Sequence, residues 1–318
     1  MIPKSAVRAG IMLFVIGPTM LIPRAGVAMD ISSYLQQVVT KLAGEIGVRT
    51  YRDKDRMEKA AAYIHGELSS FGHSVSKQSF TYEGHALHNI IGELKGRTAP
   101  ERILVIGAHY DTVRTTPGAD DNASGVAGLL AIAKKLAGTP MDRTVRFVAF
   151  AFEEPPAYRT RSMGSYHYAE SLSDGRDEVE GMICLEMIGY FSDRDGSQHY
   201  PFPFMNLKFP RTGNYIAMVG NRRSKDFTEQ IAGAFRKGTD LPVITLNAPA
   251  FVVGIDFSDH WSFNKFGIPA FMVTDTAFYR NPNYHSPADL PGTLDYARMA
   301  KVVEGLAAAA GSWGAGGR

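Results

Sequence analysis

Apolar residues recur at helical spacing through the stretch DISSYLQQVVTKLAGEIG, which starts at Asp30, a good N-cap residue. The stretch KDRMEKAAAYIHGELSSFG repeats the pattern and ends at Gly72, a natural stop. Two helices are therefore expected first. After them the periodicity changes. Short continuous apolar runs such as RILVIGAH, TVRFVAFAFEE, GMICLE and GIPAFMVTDTA alternate with amphipathic segments such as ASGVAGLLAIAKKLAG, KDFTEQIAGAFRKG and LDYARMAKVVEGLAAAAG. Continuous apolar strands interleaved with amphipathic helices predict a three-layer α/β/α fold around a mostly parallel mixed sheet covered on both faces.

Two stretches depart from this rhythm. Residues 191–214, FSDRDGSQHYPFPFMNLKFPRTGN, have no clear period but carry Tyr200, Phe202, Phe204 and Phe209. Long irregular connections of this kind are often functional, and a binding-site wall or lid is expected here. Residues 1–28 place Lys4 and Arg8 before an apolar run and end in the small-residue run Ala25-Gly26-Val27-Ala28. This is the layout of a secretory signal peptide, too broken by Pro and Gly for a membrane span. The expectation is a periplasmic or secreted protein without stable membrane association after cleavage, in which residues 29–318 form a single catalytic domain.

The chain has 318 residues and 45% hydrophobic content, enough for a large core. Loss of Lys4, Arg8 and Arg24 with the leader leaves 31 basic against 32 acidic residues, so no basic excess is available for nucleic acid. The single cysteine, Cys184, excludes an intramolecular disulfide and a thiolate zinc finger; its apolar run makes it a small core residue.

The candidate chemistry lies at the ends of the strands. His109 closes RILVIGAH, Glu153 and Glu154 close VRFVAFAFEE, Glu186 closes GMICLE, and His285 follows AFMVTDT in a loop. The run AHYDTVRTTPGADDNASG adds Asp111 and the adjacent Asp120 and Asp121 before a helix. In open α/β sheets, ligands bind outside the carboxyl ends of the strands. Each acidic residue alone has an ordinary reading in turns and caps, whereas several segments aiming ligand types at one edge point to a metal site. Carboxylates mixed with two imidazoles suit zinc or another divalent transition metal. The charge of two zinc ions is matched by Asp120, Glu154, Glu186 and one hydroxide, whereas a single ion leaves that many carboxylates poorly compensated. Asp111 is then expected to accept the other imidazole N–H of His109.

In this order, AHYDT, GADDNASG, AFEE, LEMIGY and NPNYHSPAD resemble the co-catalytic zinc peptidase family of bacterial aminopeptidases, glutamate carboxypeptidases and glutaminyl cyclases, over residues 88–306. The resemblance implies a zinc-dependent exopeptidase-like fold. It also implies a first histidine ligand at His109, a metal-bridging aspartate at Asp120 and a general base at Glu153. Further ligands fall on Glu154, Glu186 and His285, and a cis peptide between Asp120 and Asp121. Where many aminopeptidases of the family continue the paired glutamates with xGxxGS, this chain has EEPPAYRTRSMGS. Arg159 and Arg161 in that insertion are weak candidates for meeting a substrate carboxylate. Some relatives carry Asp at the position of Glu186. The SDHWSF run resembles a family segment near the active site that is not a ligand, which gives His260 a hydrogen-bonding role near the cleft.

The expected function is a zinc metallo-exopeptidase, an aminopeptidase, that hydrolyses peptide bonds with a metal-activated water and Glu153 as proton shuttle. The alternatives are a glutaminyl cyclase-like acyltransferase with one zinc and a non-catalytic binding domain that keeps the fold. No G-x-S-x-G elbow, P-loop or dinucleotide fingerprint is present.

Overall fold

The computed structural model describes residues 30–173, 175 and 177–316, so the expected signal peptide lies outside the described residues. The chain opens with α1 (Ile31–Val39), capped by the Asp30 carboxylate on the N–H groups of Ser32 and Ser33, and runs on into a π-helical turn (Thr40–Ile46). Helix α2 (Lys54–Ser70) follows, with Asp53 as its cap, and the chain turns at Gly72 with φ +85°. The strands are β1 (Ser74–Tyr82), β2 (His85–Leu94), β3 (Ala99–His109), β4 (Arg143–Phe150), β5 (Glu178–Leu185), β6 (Ile216–Asn221), β7 (Val243–Ala248) and β8 (Ala270–Thr274). The remaining helices are α3 (Gly125–Leu136), α4 (Gly164–Ser171), α5 (Lys225–Gly238), α6 (His260–Lys265) and α7 (Tyr296–Gly314).

The eight strands form one mixed sheet in the order β1-β2-β4-β3-β5-β8-β6-β7. The centre, β4-β3-β5-β8, is parallel throughout. The antiparallel pairs are β1 with β2, β2 with β4, and β6 with β8. The hairpin β1–β2 is not legible as an apolar run: β1 is an edge strand whose residues are at most half-buried, so its sequence stays polar.

Alternation along the central strands assigns the two faces. Leu104, Ile106 and Ala108 of β3 and Val145, Phe147 and Ala149 of β4 pack into one core with α1, α2, α3, α5 and α7. Ile103 and Val105, with Val148 and Phe150, pack on the other side with Tyr168 and Ala169 of α4 and Phe263 of α6. Helices thus cover both faces, as the strand–helix alternation predicts. At the parallel centre, the carboxyl ends of β3, β4, β5 and β8 meet on one edge, and the loops leaving that edge carry the candidate ligands. Among the described residues no helix is long and apolar enough to cross a membrane.

Candidate metal centre

His109 is the last residue of β3 and is almost completely buried. Its Nε2 lies 3.3 Å from Glu186 Oε2 and 3.4 Å from Asp121 Oδ1. Glu186 directly follows β5, and its N–H bonds the Val273 carbonyl of the neighbouring β8, which fixes where its side chain leaves the sheet. The other oxygen of Asp121, Oδ2, lies 3.0 Å from His285 Nε2, which is 3.4 Å from Glu154 Oε1. Two sets of ligand atoms result, His109 with Asp121 and Glu186, and Asp121 with Glu154 and His285, each within 4.8 Å. Asp121 belongs to both and offers one oxygen to each.

The structure corrects the choice between the paired aspartates. Asp120 takes no place in either set. Its Oδ1 accepts the Gly189 N–H at 2.9 Å and its Oδ2 accepts Asn281 Nδ2 at 2.6 Å, so the carboxylate is spent on the loop after β5 and on the loop before His285. The cis peptide lies between Asp121 and Asn122, not between Asp120 and Asp121. Asn122 is tied to the sheet edge, donating to the Leu185 carbonyl at 2.8 Å and accepting the Met187 N–H at 3.1 Å, and Asp121 faces the two histidines.

Asp111 holds more than His109. The imidazole Nδ1 lies 3.2 Å from the Asp111 carbonyl and 3.4 Å from its Oδ1. The two carboxylate oxygens accept the N–H groups of Glu153 and Glu154 at 3.0 and 3.1 Å. One aspartate therefore sets the main chain of both glutamates relative to His109. In the SDHWSF run, Ser258 makes a contact that the sequence does not signal: its Oγ donates to Glu186 Oε2 at 2.6 Å. Next to it Asp259 is fully buried, and among the described residues neither of its oxygens has a hydrogen-bond partner. His260 stands off from both ligand sets, its Nε2 2.7 Å from the Ile255 carbonyl. Arg159 and Arg161 are exposed, and neither lines the cavity described below.

The electrostatics show what the site demands. Burial opposes charge on His109, but Glu186 and the hydrogen bonds with Asp111 and Asp121 hold its pKa well above the usual range. Burial likewise opposes charge on His285, yet Asp121 and Glu154 push it up to about 10. Burial and the neighbouring Asp121 raise Glu154 to about 7. Burial raises Glu153 well above the ordinary carboxylate range, and Glu154 and Glu186 add to the effect. Carboxylates gathered at this density out of water need positive charge, which is why they push both imidazoles toward their charged form. Divalent cations answer the same need. Glu154 Oε1 is buried, and among the described residues it makes no hydrogen bond: the His285 imidazole at 3.4 Å is too poorly placed for one, as suits an oxygen reserved for a ligand bond. The donor set, carboxylate oxygens with imidazole nitrogens, is the chemistry zinc takes. The residues present therefore fit the metal.

The centre opens into a cavity of about 550 Å³. Glu153 lines it beside the ligands, and among the described residues its carboxylate takes no hydrogen bond. The opposite wall is apolar and aromatic: Tyr200, Phe202, Phe204 and Phe209 come from the irregular stretch 191–214, and Val252 and Phe257 from the loop after β7.

Comparison with known proteins identifies the family and the fold. Residues 89–310 match the description "Peptidase family M28". The chain is 41% identical to the uncharacterized protein YfbL of Escherichia coli over 280 residues, 86% of this chain and 85% of that protein. Its fold is similar to that of a zinc aminopeptidase from Bacillus subtilis, with TM-score 0.69 and 17% identity over 88% of this chain and 94% of the other. A glutaminyl cyclase from Bacteroides thetaiotaomicron is similar at TM-score 0.65 and 18% identity, covering 87% and 96%.

Proposed function

The chain belongs to peptidase family M28, and from that premise we propose that it is an exported di-zinc aminopeptidase acting on peptides with an apolar N-terminal residue. The observation that carries this reading is the pair of ligand sets sharing Asp121. His109, Asp121 and Glu186 would hold one ion, and Asp121, Glu154 and His285 the other. When bound, zinc supplies Lewis acidity, polarising a carbonyl and acidifying water.

The chain's own residues do the rest. Glu153 lies in the cavity next to both sets with a carboxylate that takes no hydrogen bond among the described residues, so it is free to take a proton from the attacking water and pass it to the leaving amine. Asp111 fixes Glu153 and Glu154 through their main-chain N–H groups, and Ser258 fixes Glu186. The aromatic wall supports an apolar substrate side chain and excludes water from the reacting bond. Export rests on the leader pattern of residues 1–28; N-terminal sequencing of exported protein is expected to begin near Met29.

Metal analysis combined with a mass-spectrometric screen of a peptide library, including peptides with N-terminal glutamine, tests the reading. Two zinc ions per chain and release of apolar N-terminal amino acids are expected. One zinc and pyroglutamate products would instead identify a cyclase. Full metal occupancy without turnover on the whole library would identify a binding domain.

A further inference from the structure

We infer that Arg49 and Asp289 are positioning residues that hold the loop between His109 and Asp121, one by its carbonyls and the other by its N–H groups, and preset it for metal capture. The inference rests on reading His109 and Asp121 as metal ligands. Arg49 lies ahead of residue 89, where the family match begins, so no motif of that match contains it. It is completely buried. Its Nε donates to the Tyr110 carbonyl at 2.7 Å, Nη1 to the Pro117 carbonyl at 2.8 Å, and Nη2 to the Gly118 carbonyl at 3.1 Å. Tyr110 directly follows His109, and Gly118 stands three residues before Asp121. One planar group therefore ties both ends of the loop together.

Its own anchorage is equally fixed. Nη1 also reaches the carbonyls of Leu42 and Gly47 at 2.9 and 2.8 Å. The main chain of Arg49 donates to Thr112 Oγ1 at 3.0 Å and accepts the Thr112 N–H at 3.1 Å. Gly118, with φ +66°, is required by the fit: a Cβ there would lie 2.3 Å from the Asp121 carbonyl and 3.1 Å from Arg49 Nη2.

Asp289 takes the other polarity of the same loop. Its Oδ1 accepts the Asp120 N–H at 2.8 Å and its Oδ2 the Asp121 N–H at 3.2 Å. Carbonyls thus rest on a buried guanidinium and N–H groups on a buried carboxyl group. Burying a guanidinium is costly, and here each of its three nitrogens meets at least one carbonyl, which offsets that cost. Lysine carries its three donors on one nitrogen and cannot span carbonyls that Nε, Nη1 and Nη2 meet separately.

Two effects of losing Arg49 oppose each other. By charge alone, removing a cation near Asp111, Asp121 and Asp289 would tighten zinc binding. Loosening the loop that carries two ligand residues would weaken it. The inference states that the second effect wins.

Chelator titration of zinc-loaded wild type, Arg49→Lys, Arg49→Met and Asp289→Asn, with circular dichroism confirming the fold, decides the matter. Each variant is expected to bind zinc about 10- to 100-fold more weakly, the range for lost partners outside the ligand set. Activity is expected to return partially with excess zinc. Folded variants with lower melting temperature but wild-type or tighter zinc affinity would overturn the inference and leave a purely structural role. Should the arginine variants not fold, Asp289→Asn decides alone, since it keeps the shape and leaves one loop N–H without its acceptor. Wild type that binds no zinc would instead bring down the reading of the site, and the inference with it.

Discussion

The two sides of the cleft are built on opposite principles. On the charged side, each candidate ligand leaves a strand end or a loop pinned to the sheet edge: His109 closes β3, Glu186 follows β5, and Asp111 fixes the two glutamates after β4. On the apolar side, the stretch 191–214 is tied down at its two ends, by contacts such as Tyr200 Oη on the Pro210 carbonyl at 2.6 Å and the Gln198 N–H on the Arg211 carbonyl at 2.9 Å, but little holds its middle. Between these points Phe202 and Phe204 stack on each other at 5.5 Å, and Phe204 is 67% exposed. Metal coordination needs fixed distances and directions, which rigid elements provide. Apolar contact is non-directional, and a loop suffices for it. Chemistry and substrate choice are therefore expected to respond to separate substitutions.

The largest expected effect lies on the charged side. Glu153→Gln keeps the shape and removes the basic oxygen, so kcat should fall by about 10²- to 10⁴-fold while zinc content stays unchanged. Loss of zinc together with activity would place Glu153 among the ligands instead. The adjacent aspartates come next. Asp121→Asn should weaken zinc binding by at least the roughly 10- to 100-fold seen on losing partners outside the ligand set. Asp120→Asn, which leaves the ligand sets and the Asp289 contacts in place, should weaken zinc binding less than Asp121→Asn and cost about 1 to 3 kcal/mol of stability in denaturant titrations. The reverse order would return the bridging role to Asp120.

On the apolar side, Phe202→Ala and Phe209→Ala should lower kcat/KM for peptides with a bulky apolar first residue by about 10-fold relative to those with alanine, at unchanged zinc content. An equal loss on both substrates would show that the wall serves the chemistry as well.

The smallest effect concerns a group outside both regions. His73 lies beside Ala133, about two turns along α3 from the cleft, with Nε2 3.0 Å from the Ala133 carbonyl, and burial lowers its pKa. The unfolded chain then binds the extra proton more readily than the folded one, so stability is lost as pH falls through the ordinary histidine range near 6.5. His73→Gln should flatten that slope between pH 7 and 5 in thermal melts without moving the pH profile of activity.

The strand ends are legible in the sequence because their signal is strong: the apolar runs that stop at His109 and Glu186 locate those residues to within one position of the strand end, whereas Glu153 and Glu154 stand three and four residues beyond Phe150, the last residue of β4. Inside GADDNASG no periodicity exists, and the same reading fails. Asp120 and Asp121 are chemically identical, and only the contacts of Gly189 and Asn281 with the one, and of His109 and His285 with the other, tell them apart. Ser258 is hidden for a related reason. The run SDHWSF stands out through its histidine, while the hydroxyl two residues earlier makes the contact with Glu186.

The order of apolar strands and amphipathic helices determined the layered fold, and the ligand types at the strand ends determined which edge carries the site, because burial and side-chain alternation are local properties of the chain. Tertiary structure alone decided which aspartate stands between the histidines, that Asp111 spans His109 and both glutamates, and that an arginine from the opening segment reaches the metal loop. Each of these depends on the direction in which one side chain leaves an irregular backbone. That direction is set by hydrogen bonds such as those of Arg49 with Tyr110 and of Asp289 with Asp120, between residues 61 and 169 positions apart, a distance over which no periodicity in the sequence extends.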